Sequence, residues 1–155
     1  MANKFKSFGH VSQHKDKVHN KALTCLAISS DNASVFTASK DGAIVKWSLG
    51  DQGPKMTIRK KSLQKQLKGS KAGHDSIVNT MAVSSDNKYL ATGDDSSNIF
   101  VWKCSDLDYV KCFKGHRGPI TGLAFARDKN VLYSCSRDRS VKTWDLDQMG
   151  YVETL

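Results

Sequence analysis

The sequence offers little to an enzyme or to a membrane protein. None of its 155 residues lie in an apolar run long enough to cross a bilayer. The N-terminal stretch MANKFKSFGHVSQHKDKVHN lacks the apolar core of a secretory signal, so we read an intracellular protein. Four cysteines, Cys25, Cys104, Cys112 and Cys135, form no C-x-x-C pair. Reduced thiols are therefore expected in place of disulfides or zinc ligands, with Cys25 and Cys135 inside strand-like runs. There is no G-x-S-x-G, no P-loop and no metal-ligand spacing, and so no expected cofactor or catalytic residue. Acid is scarce too: 15 Asp and Glu stand against 24 Lys and Arg, a net charge of +9. With 39% hydrophobic and 25% charged residues the chain reads as globular. The tripeptide Asn32-Ala33-Ser34 fits a glycosylation acceptor, but in an intracellular turn it carries no consequence.

What is present is a repeat. The stretch GHRGPITGLAFARDKNVLYSCSRDRSVKTWD, residues 115 to 145, holds its fullest copy. Moving back 42 residues takes His116, Ser134, Asp138 and Trp144 to His74, Thr92, Ser96 and Trp102. A further 55 takes them to His19, Thr37, Asp41 and Trp47, and the His to Trp distance is 28 in every copy. A fixed unit with variable connectors is the mark of a solenoid or propeller array. Within the third copy, Ile120, Leu123 and Phe125 lead into the polar turn Arg127-Asp128-Lys129-Asn130. Val131, Leu132 and Tyr133 follow, then the turn Arg137-Asp138-Arg139 and the run Val141 to Trp144. Short β-branched and aromatic runs cut by polar turns predict antiparallel strands. Tyr151 to Leu155 matches Tyr109 to Phe113 as an outer strand.

Gly115-His116 at the head and Trp144-Asp145 at the tail resemble a WD-repeat (WD40) unit, with Trp47-Ser48 and Trp102-Lys103 as looser endings. The resemblance covers residues 19 to 155 and implies an all-β fold: an incomplete WD40 β-propeller, three to four four-stranded antiparallel blades of seven. The segments divide as a basic N-terminal piece (1–18), in which Phe5 and Phe8 before Gly9-His10 allow an outer strand, repeat 1 (19–54), an outer strand with a basic insertion (55–72), repeat 2 (73–114) and repeat 3 (115–155). In this family the equivalents of His116, Ser134, Asp138 and Trp144 form a hydrogen-bonded tetrad inside the blade. Asp, His and Ser would also suit a hydrolase triad, yet a nucleophile would not recur in every repeat. His19, closer to the 28-residue spacing than His10, takes the tetrad role in repeat 1. In repeat 2, Ser96 stands where the tetrad has aspartate. Its imidazole is thus expected to lack a charged partner, and its blade to be the least rigid. Three repeats supply about half of a usual ring, so exposed edges and apolar flanks are expected at the terminal blades, and further blades in a longer protein.

The positive charge is confined. Residues 48–72 carry Lys55, Arg59, Lys60, Lys61, Lys65, Lys68 and Lys71 against Asp51, residues 1–21 hold five bases against one acid, and the remainder is almost neutral. A propeller needs no such charge to fold, so its localisation favours a polyanionic partner such as RNA. A nuclear-import signal around Arg59-Lys60-Lys61 and a plain solvated loop are the other readings. No aromatic residue interleaves the lysines, so contacts to phosphates are expected and base stacking is not. Leu63, Gln64, Gln66 and Leu67 allow a short helix before Gly69-Ser70.

The runs LTCLAISSDNASVFTASKDGAIVKWS, MAVSSDNKYLATGDDSSNIFVW, LYSCSRDRSVKTWDL and YVETL are similar to WD-repeat proteins of the U3 small nucleolar ribonucleoprotein. The basic insertion after repeat 1 and Gly93-Asp94 in repeat 2 support the likeness. It implies a non-catalytic scaffold in the nucleus and nucleolus that binds U3 small nucleolar RNA beside a small kink-turn-binding protein and other processome proteins. The process served would be maturation of pre-ribosomal RNA toward 18S. Under this reading RNA contacts fall to the connector cations, with Arg137 and Arg139 at the turn beside Asp138. The alternative is a general WD-repeat protein-interaction scaffold, such as a ubiquitin-ligase adaptor or chromatin subunit.

Overall fold

The computed structural model describes residues 18–50, 53–60 and 73–155. Among the described residues twelve strands form three four-stranded antiparallel sheets, each built from strands consecutive in sequence. The first holds β1 (Leu23–Ile28), β2 (Ser34–Ser39), β3 (Ile44–Gly50) and β4 (Gly53–Lys60). The second holds β5 (Val78–Val83), β6 (Tyr89–Asp94), β7 (Asn98–Lys103) and β8 (Tyr109–Lys114). The third holds β9 (Ile120–Phe125), β10 (Val131–Ser136), β11 (Val141–Asp145) and β12 (Gly150–Thr154). These are three propeller blades in an all-β arrangement. Register repeats as well as order: Thr37 pairs with Val45, Thr92 with Phe100 and Ser134 with Lys142. A bulge falls just before the tryptophan of each third strand. The short-helix expectation at 63–67 and the readings at Phe5, Phe8 and His10 lie outside the described residues.

Blade 2 shows why its sequence carries unbroken apolar runs where strands with one wet face would alternate. Successive side chains point to opposite faces of a strand, and this sheet has a neighbour on each side. Leu90, Phe100 and Trp102 enter a cluster with Phe36, Ala38 and Ile44 of blade 1. Ala91, Ile99 and Val101 enter another with Ile120, Leu132 and Trp144 of blade 3. Gly93 is required by this packing, since a Cβ there would sit 2.5 Å from Ile120 Cγ2. Polar bonds stitch the blades at the β1–β2, β5–β6 and β9–β10 turns: Ser30 Oγ donates to the Ser85 carbonyl at 2.9 Å, and Ser85 Oγ to the Arg127 carbonyl at 2.7 Å. The serine of each turn thus binds the equivalent residue of the next.

The outer flanks are apolar and open, as an array of blades requires of its ends. Leu23, Leu26 and Ile28 are exposed on blade 1, and Tyr133, Val141 and Val152 on blade 3. All four cysteines are free thiols, Cys104 buried and the others half-buried. Burial pushes Cys25 and Cys112 up to about 11 and Cys104 to about 12, which leaves them protonated and poor nucleophiles at neutral pH.

Candidate nucleic-acid interface

The end of the blades that carries the β2–β3, β6–β7 and β10–β11 turns is set by three polar networks beneath it. In blade 3 the Trp144 indole donates to Ser134 Oγ at 2.8 Å, His116 Nε2 lies 2.7 Å from the same oxygen, and His116 Nδ1 lies 2.8 Å from Asp138 Oδ2. The donors are consistent when the serine proton goes to Nε2 and the Nδ1 proton to the carboxylate. Each link contributes about 1 kcal/mol net, and a stranded buried partner costs about 1–3 kcal/mol. Blade 1 repeats the pattern: Trp47 Nε1 donates to Thr37 Oγ1 at 2.9 Å and His19 Nε2 meets it at 2.9 Å. Asp41 accepts the Asn20 amide at 3.1 Å, the Ala43 amide at 2.9 Å and the Ser39 hydroxyl.

Blade 2 corrects the expectation for Ser96. Trp102 Nε1 donates to Thr92 Oγ1 at 2.8 Å and His74 Nε2 sits 2.6 Å from it. The carboxylate on His74 Nδ1, at 2.9 Å, belongs to Asp94, and both side chains are wholly buried. Ser96 is exposed and contributes only its backbone amide, which donates to Asp94 Oδ1 at 3.0 Å. Asp94 Oδ1 also accepts the Asn98 amide at 2.9 Å, the bond that Ala43 gives Asp41 and Ser140 gives Asp138. A carboxylate two residues earlier in the chain thus reaches the same imidazole and the same turn amide. The missing partner on which the expectation of a less rigid second blade rested is therefore present, in a network that lies between two neighbouring blades with Phe100 4.5 Å from His74 edge-on.

Thr92 is 0% and Ser134 1% exposed, and each accepts an indole proton where a substrate would have to approach. Among the described residues no group of three or more His, Cys, Asp or Glu could hold a metal. Among the described residues no helix is long and apolar enough to cross a membrane.

The turn carboxylates make the fold acid-sensitive. Burial opposes ionisation of Asp138, but hydrogen bonds from Ser140, the Arg117 amide and His116 outweigh it and hold the carboxyl well below the usual range. Asp41 is likewise lowered: burial opposes, and bonds from Ser39, Ala43 and Asn20 prevail. In the unfolded chain these groups take up protons near a pKa of about 3.9, while the folded ones resist. Their stabilisation is full above about pH 5 and is lost as pH falls below 4 through the depressed folded values. Circular dichroism across an acid titration should show this loss, and Asp138→Asn should lessen its steepness. An Asp138→Asn protein as acid-sensitive as the parent would remove Asp138 from this account.

Above these networks lies the basic rim. Arg137 and Arg139 are exposed on either side of Asp138. Arg117, which the reading of single turns passed over, is exposed beside them, and its amide donates to Asp138 Oδ2 at 2.8 Å. Comparing the residue after each tetrad histidine, Asn20, Asp75 and Arg117, is the signal that would have found it. The connector cations fall in two groups. Lys55, Arg59 and Lys60 lie on β4, opposite Ser48, Val45 and Ile44 in register. Lys61, Lys65, Lys68 and Lys71 lie outside the described residues. Lys60 ends β4 opposite Ile44, at the β2–β3 turn end, and the chain is described again from Gly73, next to His74 at that same end.

The WD domain, G-beta repeat profile matches residues 9–48, 64–103 and 107–145. The human U3 small nucleolar RNA-interacting protein 2 is 43% identical over 116 residues, covering 75% of this chain and 24% of that protein. Ribosomal RNA-processing protein 9 of Saccharomyces cerevisiae is 30% identical over 131 residues, covering 77% of this chain and 23% of its own length. The chain therefore spans about a quarter of these curated relatives. A solved structure of U3-55K superposes with a TM-score of 0.80 at 41% identity, over 88% of this chain and 40% of that one.

Proposed function

Because this chain belongs to the WD40 family of G-beta repeat proteins, we propose that it is a non-catalytic scaffold of the U3 small nucleolar ribonucleoprotein. It binds U3 small nucleolar RNA, beside a small kink-turn-binding protein and other proteins of the small-subunit processome. It acts in the nucleus and nucleolus, in processing pre-ribosomal RNA toward 18S. Two relatives carry names that speak of U3 RNA interaction and ribosomal RNA processing.

One observation supports the RNA contact most directly. Of the seven connector cations, Arg59 and Lys60 close β4 at the blade end where Arg137 and Arg139 also stand. Clustered cations repel one another, and a polyanion at that end relieves the repulsion. Contacts through Lys55, Arg59, Lys60, Lys61, Lys65, Lys68 and Lys71 would be to phosphates, which bind without reading sequence.

Changing Lys60, Lys61, Lys65 and Lys68 together to Glu is expected to weaken association with U3 RNA while leaving the circular dichroism of the blades intact. Log affinity should fall linearly with log salt in the parent, by about 0.7–0.9 per neutralised phosphate, and less steeply in the variant. Equal affinity and equal slope in both proteins would count against the connector and leave it an import signal or solvated loop, whereas a parent with no specific affinity for U3 RNA would favour the general protein-interaction scaffold.

A further inference from the structure

We propose that Arg117, Arg137 and Arg139 form a phosphate-binding claw on the rim of blade 3 that grips the backbone of the bound RNA. The proposal rests on the RNA-scaffold reading and adds a site to it. The three residues are held together by the loops beneath them. The Arg117 amide donates to Asp138 at 2.8 Å, the Arg137 amide to the Pro119 carbonyl at 3.0 Å, and the Arg139 amide to the Ser136 carbonyl at 3.1 Å. Gly118 permits this closeness, since a Cβ there would lie 3.0 Å from the Asp138 nitrogen.

The fold does not ask for arginine at these positions. Their counterparts are Asn20, Lys40 and Gly42 in blade 1, and Asp75, Asp95 and Ser97 in blade 2. One backbone frame therefore carries a single positive charge, then two negative, then three positive. The guanidiniums of blade 3 are exposed and enter no ion pair among the described residues. Asp138, between them, is turned inward: Oδ2 accepts from His116 and the Arg117 amide, and Oδ1 from Ser140.

Arg139 also sits in a conformation that suits glycine. Its φ is 69°, in the left-handed region, where Gly42 holds the same place in blade 1 with a φ of 77°. A long charged side chain kept where its backbone is disfavoured, with no packing in return, points to use outside the fold. Guanidinium forks match phosphate oxygens. The aspartates of blade 2 would repel a polyanion, so the RNA strand is steered to the blade 3 side of the rim. An acidic peptide would also satisfy the arginines; RNA is the partner that accords with the scaffold reading, and the polyglutamate arm of the test separates the two.

The test uses the full chain, a U3 small nucleolar RNA transcript and a polyglutamate peptide, with binding measured across a salt series. Arg139→Gly should melt at or above the parent temperature while losing about tenfold in RNA affinity, the effect of one charge-assisted contact. The triple Arg117→Ala, Arg137→Ala, Arg139→Ala variant should lose more and lower the salt slope by about 0.7–0.9 for each phosphate released. A triple variant that binds RNA like the parent, while the connector Glu variant does not, overturns the claw and leaves the scaffold reading standing. A parent that ignores RNA and binds polyglutamate through these arginines overturns both. A fall in melting temperature for Arg139→Gly would make Arg139 structural and remove it from the site.

Discussion

Trp144→Ala is expected to lower stability by about 3–5 kcal/mol, the largest effect of any single truncation in blade 3. Trp144 is 1% exposed at the centre of the cluster between blades 2 and 3. Its ring stacks on Phe113 at 5.0 Å and meets Tyr151 edge-on at 5.6 Å. Removing it opens a cavity among side chains from both blades and takes the indole proton from Ser134 Oγ. At roughly 2–4 °C per kcal/mol for a chain of this size, the melting temperature should drop by about 6–20 °C. Trp144→Phe keeps most of the packing and loses only the donor, so it should cost clearly less. A thermal melt of Trp144→Ala within a degree or two of the parent would contradict the blade assignment.

The second large effect separates two neighbouring residues. Asp94→Ala should cost about 3–5 kcal/mol, because it strands the buried His74 imidazole and the Ser96 and Asn98 amides without their acceptor. Ser96→Ala should stay within about 0.5 kcal/mol, as exposed substitutions away from such features do. Ser96→Asp, which a strict repeat would favour, should bring no gain, since the site on His74 is already filled. Denaturant melts of the three variants decide it. A costly Ser96→Ala beside a mild Asp94→Ala would return the carboxylate role to position 96.

These two residues mark how far the sequence could be read. The constant 28-residue spacing from His19, His74 and His116 to their tryptophans located the blades, since strand length and turn geometry leave no room to vary inside the unit. Alignment by position failed at Asp94 because function there follows reach. A carboxylate on the last residue of β6 meets the same imidazole that a turn aspartate meets in blades 1 and 3. Gly93-Asp94 was visible as a departure from the repeat, but only the folded chain shows the carboxylate turned to His74. Arg117 was missed for a related cause. It lies 20 residues from Arg137 in sequence and is brought beside it by the bond of its amide to Asp138. The connector's charge was legible from composition alone, whereas its contacts depend on a partner that composition cannot supply.

This WD40 chain is expected to meet U3 RNA through the connector cations and the arginines of the blade 3 rim. Crosslinking of the tagged, full-length protein in cells, followed by sequencing of the recovered RNA and mapping of the crosslinked peptides, tests it most directly. The account predicts strong enrichment of U3 small nucleolar RNA with crosslinks in residues 55–71 and at the blade 3 rim. Recovery of partner proteins with no enriched RNA would contradict it and leave a WD-repeat scaffold for proteins alone.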